Sequence, residues 1–143
     1  MLWRAKFDTW EPDSKPIPPT VAASLSGEVL ELHDGDILIG GFDPRAQVEL
    51  GIWSRLISEA DAEIHIRTLF LVDAAHIPFV EAVTPKSRWS STYVGAANQE
   101  WESLILPDRP ERSFAGIVRE GLFDPLMIGL PTEEAWDRFL ARL

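Results

Sequence analysis

The sequence predicts an α+β protein: a mainly antiparallel sheet of about five to seven strands, with one amphipathic C-terminal helix packed on a face. Three observations predict it. Apolar residues alternate with polar ones along 47–56 and again along 64–72. Two short alternating runs flank an Asp-Gly turn at Asp34-Gly35. Trp136, Phe139, Leu140 and Leu143 form a helical stripe behind a capping threonine, Thr132. Strand side chains alternate between faces, whereas helical ones recur every three to four residues.

The central stretch, residues 47–83, carries the densest apolar sequence. Val48, Leu50, Ile52 and Leu56 share one parity, with Gln47, Glu49 and Arg55 on the other. This pattern predicts a strand with one buried face. Ile64, Ile66, Phe70 and Val72 repeat it, and Leu69 and Leu71 fill the second parity, so this strand is expected to be buried on both faces. A helix over 59–75 is the rival reading, with Ser58 as its cap and Asp61 in its first turn. The β-branched Ile64 and Ile66 favour the strand. Ile77, Phe79, Val80 and Val83 make a third, weaker strand-like run.

From the start of the chain, residues 2–7 alternate as a first strand, with Trp3 and Phe7 facing inward. Four prolines in residues 8–20 impose an extended connection, most pronounced over 11–20, because proline lacks an amide donor and fixes φ. Residues 28–32 and 36–40 read as a hairpin about His33-Asp34-Gly35. Gly40-Gly41 and Asp43-Pro44 mark a turn. Residues 89–94 suit a short strand, 96–106 are ambiguous with helical spacing at Trp101, Leu104 and Ile105, and 113–122 suit either a short helix or a strand. The C-terminal helix begins at Thr132, with Glu133 and Glu134 at its positive end and Arg138 and Arg142 near its negative end.

The length of 143 residues predicts a single globular domain over 1–143. With no cysteine, the chain can build neither a disulfide framework nor a thiolate metal site. The first residues lack the apolar core of a signal peptide, no apolar run is long enough to span a bilayer, and a soluble cytoplasmic protein is the expectation. Ten arginines against three lysines hint at a bacterial source. The net charge of −10 argues against nucleic acid and anionic membranes as partners.

No chemistry-bearing motif is complete. His33, His65 and His76 have no metal-ligand spacing, Asp34-Gly35-Asp36 lacks the rest of a calcium loop, and no nucleophile elbow or phosphate-binding glycine loop occurs. The sequence therefore points to no cofactor, no metal and no catalytic residue. Residues 28–63 carry nine acids against two arginines. Asp34, Asp36, Asp43, Glu49, Glu59, Asp61 and Glu63, with Trp10 and Trp89 as aromatic anchors, form the candidate partner-binding set. The corresponding function is a small acidic binding module of immunity or inhibitor type, which neutralises or chaperones a basic protein such as a toxin or effector. The alternative is a small-ligand-binding or hydrolytic enzyme with a cavity between the curved sheet and the C-terminal helix, lined by His65, Arg67, Asp73 and His76.

Overall fold

A computed structural model describes residues 15–61, 65–105 and 111–143. The expected strand at 2–7, Trp10 and Glu63 lie outside the described residues. The elements are β1 (Lys15–Pro16), β2 (Ala22–Ser24), β3 (Ile37–Gly40), α1 (Pro44–Val48), α2 (Leu50–Ala60), β4 (Thr68–Val72), α3 (Ile77–Val83), β5 (Thr92–Ala96), α4 (Gln99–Ile105), β6 (Phe114–Arg119), β7 (Leu122–Ile128) and α5 (Glu133–Leu140). The strands form one mixed sheet in the order β1-β7-β6-β3-β4-β5-β2. β3, β4 and β5 are parallel neighbours, while β6 runs antiparallel to β3 and β7 antiparallel to β6.

This corrects the expected fold class. The centre of the sheet is parallel, and parallel neighbours need crossover connections. Helices therefore cover both faces, where a single C-terminal helix had been expected. Ile37, Ile39, Phe70, Val72, Ala115 and Ile117 face one way, onto Leu50, Trp53, Ile57, Val80 and Phe139 of α2, α3 and α5. Leu38, Leu69, Leu71, Phe114, Val118 and Phe123 face the other, onto Trp101 of α4 and the segment containing Ala22. Burial on both faces gives the continuous apolar runs of β3 and β4.

The expected strand at 47–56 is helical, as is the weaker run at 77–83. Asp43 supplies the cap: its carboxylate accepts from the Arg45 amide at 2.8 Å, and Pro44 occupies the first helical position. Leu50, Trp53, Ser54 and Ile57 are buried, a helical stripe, whereas Val48 is 69% and Ile52 40% exposed. Of the residues that mimicked strand alternation, Val48 and Ile52 therefore point to solvent while Leu50 points into the core.

The expected hairpin at 28–40 does not form either. β3 pairs with β4 and β6, and Val29 instead makes a bridge to Ala23. His33–Asp36 is a turn closed locally: the Asp36 carboxylate accepts from the His33 amide at 2.8 Å, and the Asp36 amide donates to the His33 carbonyl at 3.1 Å. A carboxylate that closes the turn frees the following strand to pair elsewhere. The C-terminal helix starts as expected, with Thr132 Oγ1 accepting from the Ala135 amide at 3.1 Å. Phe139 is buried, and Trp136 packs edge-on against Trp53 with ring centroids 5.8 Å apart. These rings pack between the sheet and the C-terminal helix, the layer in which the alternative reading placed a cavity.

Candidate functional site at the carboxyl edge of the parallel strands

In open α/β sheets ligands gather outside the carboxyl ends of the strands, where successive connections leave for opposite faces. β3 is that point here. The chain leaves β3 through α1 and α2 on one face, and returns to β6, on β3's other side, from α4 on the opposite face. The edge is built from the turn 41–43, the turn after β4 at 73–76, Asn98, and the loop at Arg112-Ser113 before β6.

Gly41 allows close approach of the first turn. A Cβ there would lie 2.7 Å from the Ala46 Cβ, closer than packing tolerates. Phe42 stacks on Phe114, centroids 5.3 Å apart, which ties the turn to β6. Asp43 is held by Arg45 through two side-chain hydrogen bonds of 3.0 and 2.8 Å. Hydrogen bonds from the Arg45 side chain and amide hold the Asp43 carboxyl down at about 2.

Glu49 joins the helix to the loop before β6. One carboxylate oxygen accepts from the Ser113 amide at 2.9 Å and the Ser113 hydroxyl at 2.7 Å; the other accepts from Arg112 Nε at 2.9 Å. Trp53 Nε1 donates to Ser113 Oγ at 3.0 Å, and Ser113 is fully buried. The Arg112 guanidinium packs against Gly129, where a Cβ would be 2.7 Å from its Cζ. Glu49 and Ser113 pair with each other and with Arg112 and Trp53, so the cluster positions the edge.

The acids expected to form one docking surface are divided. Asp36 precedes β3 and Asp43 follows it, so they stand at opposite edges of the sheet. Asp34 accepts from the Glu120 amide at 2.8 Å and braces the turn between β6 and β7. Asp36 is 5% exposed and faces Arg67 at 3.5 Å; burial raises its carboxyl above the usual 3.8. Asp61 pairs with buried Arg88 at 3.2 Å and accepts from the Ile66 amide at 2.8 Å. Glu59 is exposed on α2. Trp89 is half-buried, donating to the Thr84 carbonyl at 3.1 Å under Lys86. Nor do the residues of the alternative lining meet. His65 and Arg67 precede β4, whereas Asp73 and His76 follow it. Among the described residues no group of acids and histidines could hold a metal ion.

Sequence reasoning missed Arg112, Ser113, Gln47 and Arg88. Ser113 and Arg112 lie more than sixty residues from Glu49 and carry no motif. The Asp43-Pro44 pair was a readable signal for the helix that places Glu49 and Gln47.

The sheet order, the parallel centre and the helices on both faces define a thioredoxin-like fold. It is similar to the thio-disulfide isomerase of Thermus thermophilus, with TM-score 0.57 and 13% identity over 92% of this chain and 96% of that one. It is equally similar to BsSco, a member of the Sco family of cytochrome c oxidase assembly proteins with a disulfide switch (TM-score 0.57, 11% identity, 92% and 93% of the two chains). A peroxiredoxin-like protein of Aquifex aeolicus matches with TM-score 0.54 and 10% identity over 91% of this chain and 86% of that one. No protein-family model matches the chain, and no curated protein matches it. At these identities the likeness shows the fold. The immunity or inhibitor reading and its basic toxin partner are corrected here: the proteins that share this fold are a thio-disulfide isomerase, a Sco protein and a peroxiredoxin-like protein, and Asp36, Asp43, Glu49 and Asp61, which carried that reading, are paired with arginines within the fold.

Proposed function

We propose that this chain is a thioredoxin-like domain that works by non-covalent recognition of protein segments in a thiol-redox or assembly setting, and does not exchange disulfides itself. One observation carries this reading. Thiol chemistry in such folds depends on cysteines at a helix N-terminus beside the βαβ unit, where the thiol pKa is lowered. At that place this chain has Gly41-Phe42-Asp43-Pro44-Arg45, and its sequence contains no cysteine. Disulfide exchange needs an attacking thiolate, and none is available from these residues. Asp43 and Arg45 neutralise each other at the edge, while the exposed Val48 lies one turn further along the helix. A paired, nearly neutral rim next to exposed apolar surface suits an extended polypeptide, which offers backbone hydrogen-bonding groups and apolar side chains.

The test is a titration of ¹⁵N-labelled chain with a reduced, alkylated unfolded polypeptide, followed by amide shifts. Shifts clustered at 41–48, 73–76 and 112–113 are expected. Saturation with shifts confined to the opposite edge, or no shifts at millimolar probe, would overturn the reading.

A further inference from the structure

Arg67 precedes β4 and gathers its contacts at the amino edge of the parallel strands. Its Nη1 meets His33 Nδ1 at 2.5 Å, and its Nη2 donates to the Glu31 carbonyl at 2.7 Å. Its Nε faces the Asp36 carboxylate at 3.5 Å, and its guanidinium lies over the Tyr93 ring of β5, 5.1 Å from the centroid. One side chain thus ties the segment 28–33 to β4 and β5. The segment is also held along β2, where the Ser24 amide donates to the Glu28 carbonyl at 2.7 Å and the Leu30 amide to the Ala22 carbonyl at 3.0 Å. Leu30 and Leu32 are half-buried against the core layer of Leu38 and Leu69, while Glu28, Val29, Glu31 and His33 are exposed. Segments with so little buried apolar surface open locally at low cost.

The Arg67–His33 contact depends on the charge of the ring. A guanidinium carries N–H donors and no acceptor, so His33 Nδ1 accepts, and the proton of the neutral ring sits on Nε2. A protonated ring has a donor at each nitrogen and a positive charge, and it cannot keep this contact. The neighbouring charges decide where such a ring turns. Glu31 Oε1 stands 3.9 Å from Nε2 and attracts it, but the Glu31 side chain is 88% exposed and its charge is screened. Asp36 accepts from the His33 amide at 2.8 Å and is shared with Arg67. Asp34 accepts from the Glu120 amide, in the turn between β6 and β7. The direct contact with Arg67 therefore outweighs the pull of the acids.

We propose that His33 is a proton-operated latch on the amino edge. Neutral, it accepts from Arg67, and the segment 28–33 stays closed against β2 and the core. Protonated, it parts from Arg67 toward Glu31, and the segment opens more often. Closure is fullest above the pH range in which histidines take up a proton, and it weakens as pH falls through that range. This device does not depend on the proposed function.

The experiment is amide hydrogen exchange at Ser24 and Leu30, expressed as protection factors between about pH 8 and about pH 5, with the His33 ring followed by ¹⁵N shifts in the same samples. The Nε2–H tautomer at the upper end, and a fall in protection of about threefold or more toward the lower end, are the expected results. His33→Gln, which keeps a neutral acceptor, should hold its protection constant across the range. A neutral ring with its proton on Nδ1, protection that does not fall in the unmodified chain, or an equal fall in His33→Gln, would overturn the latch. Should the variant fail to fold, the unmodified chain decides: a fall in protection whose midpoint differs from that of the ring titration also overturns it.

Discussion

Glu49→Ala is the substitution with the most to reveal about how this edge is held. The change removes three accepted hydrogen bonds at once: from the Ser113 amide, the Ser113 hydroxyl and Arg112 Nε. Ser113 has no exposure, so its amide cannot turn to water. A buried donor left unpaired costs about 1–3 kcal/mol, and the partly exposed Arg112 pair adds about 0.5–1 kcal/mol. The hydroxyl can rotate and recover part of its loss. The expected destabilisation is therefore about 2–4 kcal/mol, read from urea unfolding followed by tryptophan emission. Trp53, which donates to Ser113 Oγ, should report the local change even in the folded state. Ser113→Ala removes the hydroxyl that donates to Glu49 and accepts from Trp53 Nε1, leaving a buried indole N–H unpaired, and should cost about 1–3 kcal/mol, with a double variant well short of additive. A loss below about 0.5 kcal/mol for Glu49→Ala, or full additivity with Ser113→Ala, would refute the claim that Glu49 clamps the helix to the loop before β6.

Three further outcomes are expected. Asp36 should titrate above 3.8 by ¹³C NMR, because burial disfavours its carboxylate. A carboxyl raised in the folded state binds its proton more readily there than in the unfolded chain, so its contribution to stability grows as pH falls through the raised value and is lost as pH rises above it; Asp36→Asn should remove that component of the pH profile. Gly116→Ala should cost about 1–3 kcal/mol in chemical denaturation, since its Cβ would meet the Asp124 carbonyl at 2.7 Å and the Phe123 ring at the bulge between β6 and β7. Arg88→Ala should cost about 3–5 kcal/mol in the same assay, because Arg88, itself only 5% exposed, donates to the Ile66 carbonyl at 2.5 Å and Thr68 Oγ1 at 3.2 Å and faces Asp61.

How much of this could be read from the sequence differs between elements for physical reasons. β4 was legible because it is buried on both faces, so Leu69–Val72 read as an apolar run whatever its neighbours. The C-terminal helix was legible because its cap and its apolar stripe are both local. The helix at 44–60 was hidden by coincidence: Val48, Leu50 and Ile52 alternate, yet Leu50 is buried while Val48 and Ile52 are exposed. The period that mattered was Leu50, Trp53 and Ile57, announced by Asp43-Pro44. The Asp34-Gly35 turn was real, but a turn does not choose the partner of the next strand. Which strands pair, and whether in parallel, depends on contacts far apart in sequence, such as Ile37 with Thr68 and with Ile117. The same distance concealed the edge cluster. Local acidity suggested a surface, whereas Asp36, Glu49 and Asp61 are spent on Arg67, Arg112 and Arg88 inside the fold.

The central claim is recognition at the carboxyl edge without thiol exchange. Fluorescence anisotropy of a labelled, reduced and alkylated unfolded polypeptide tests it most directly, titrated with the unmodified chain, with Val48→Asp at this edge and with Asp34→Ala at the opposite one. Saturable binding is expected, weakened about tenfold or more by Val48→Asp and unchanged by Asp34→Ala. Binding insensitive to Val48→Asp, or no binding by the unmodified chain, would contradict it.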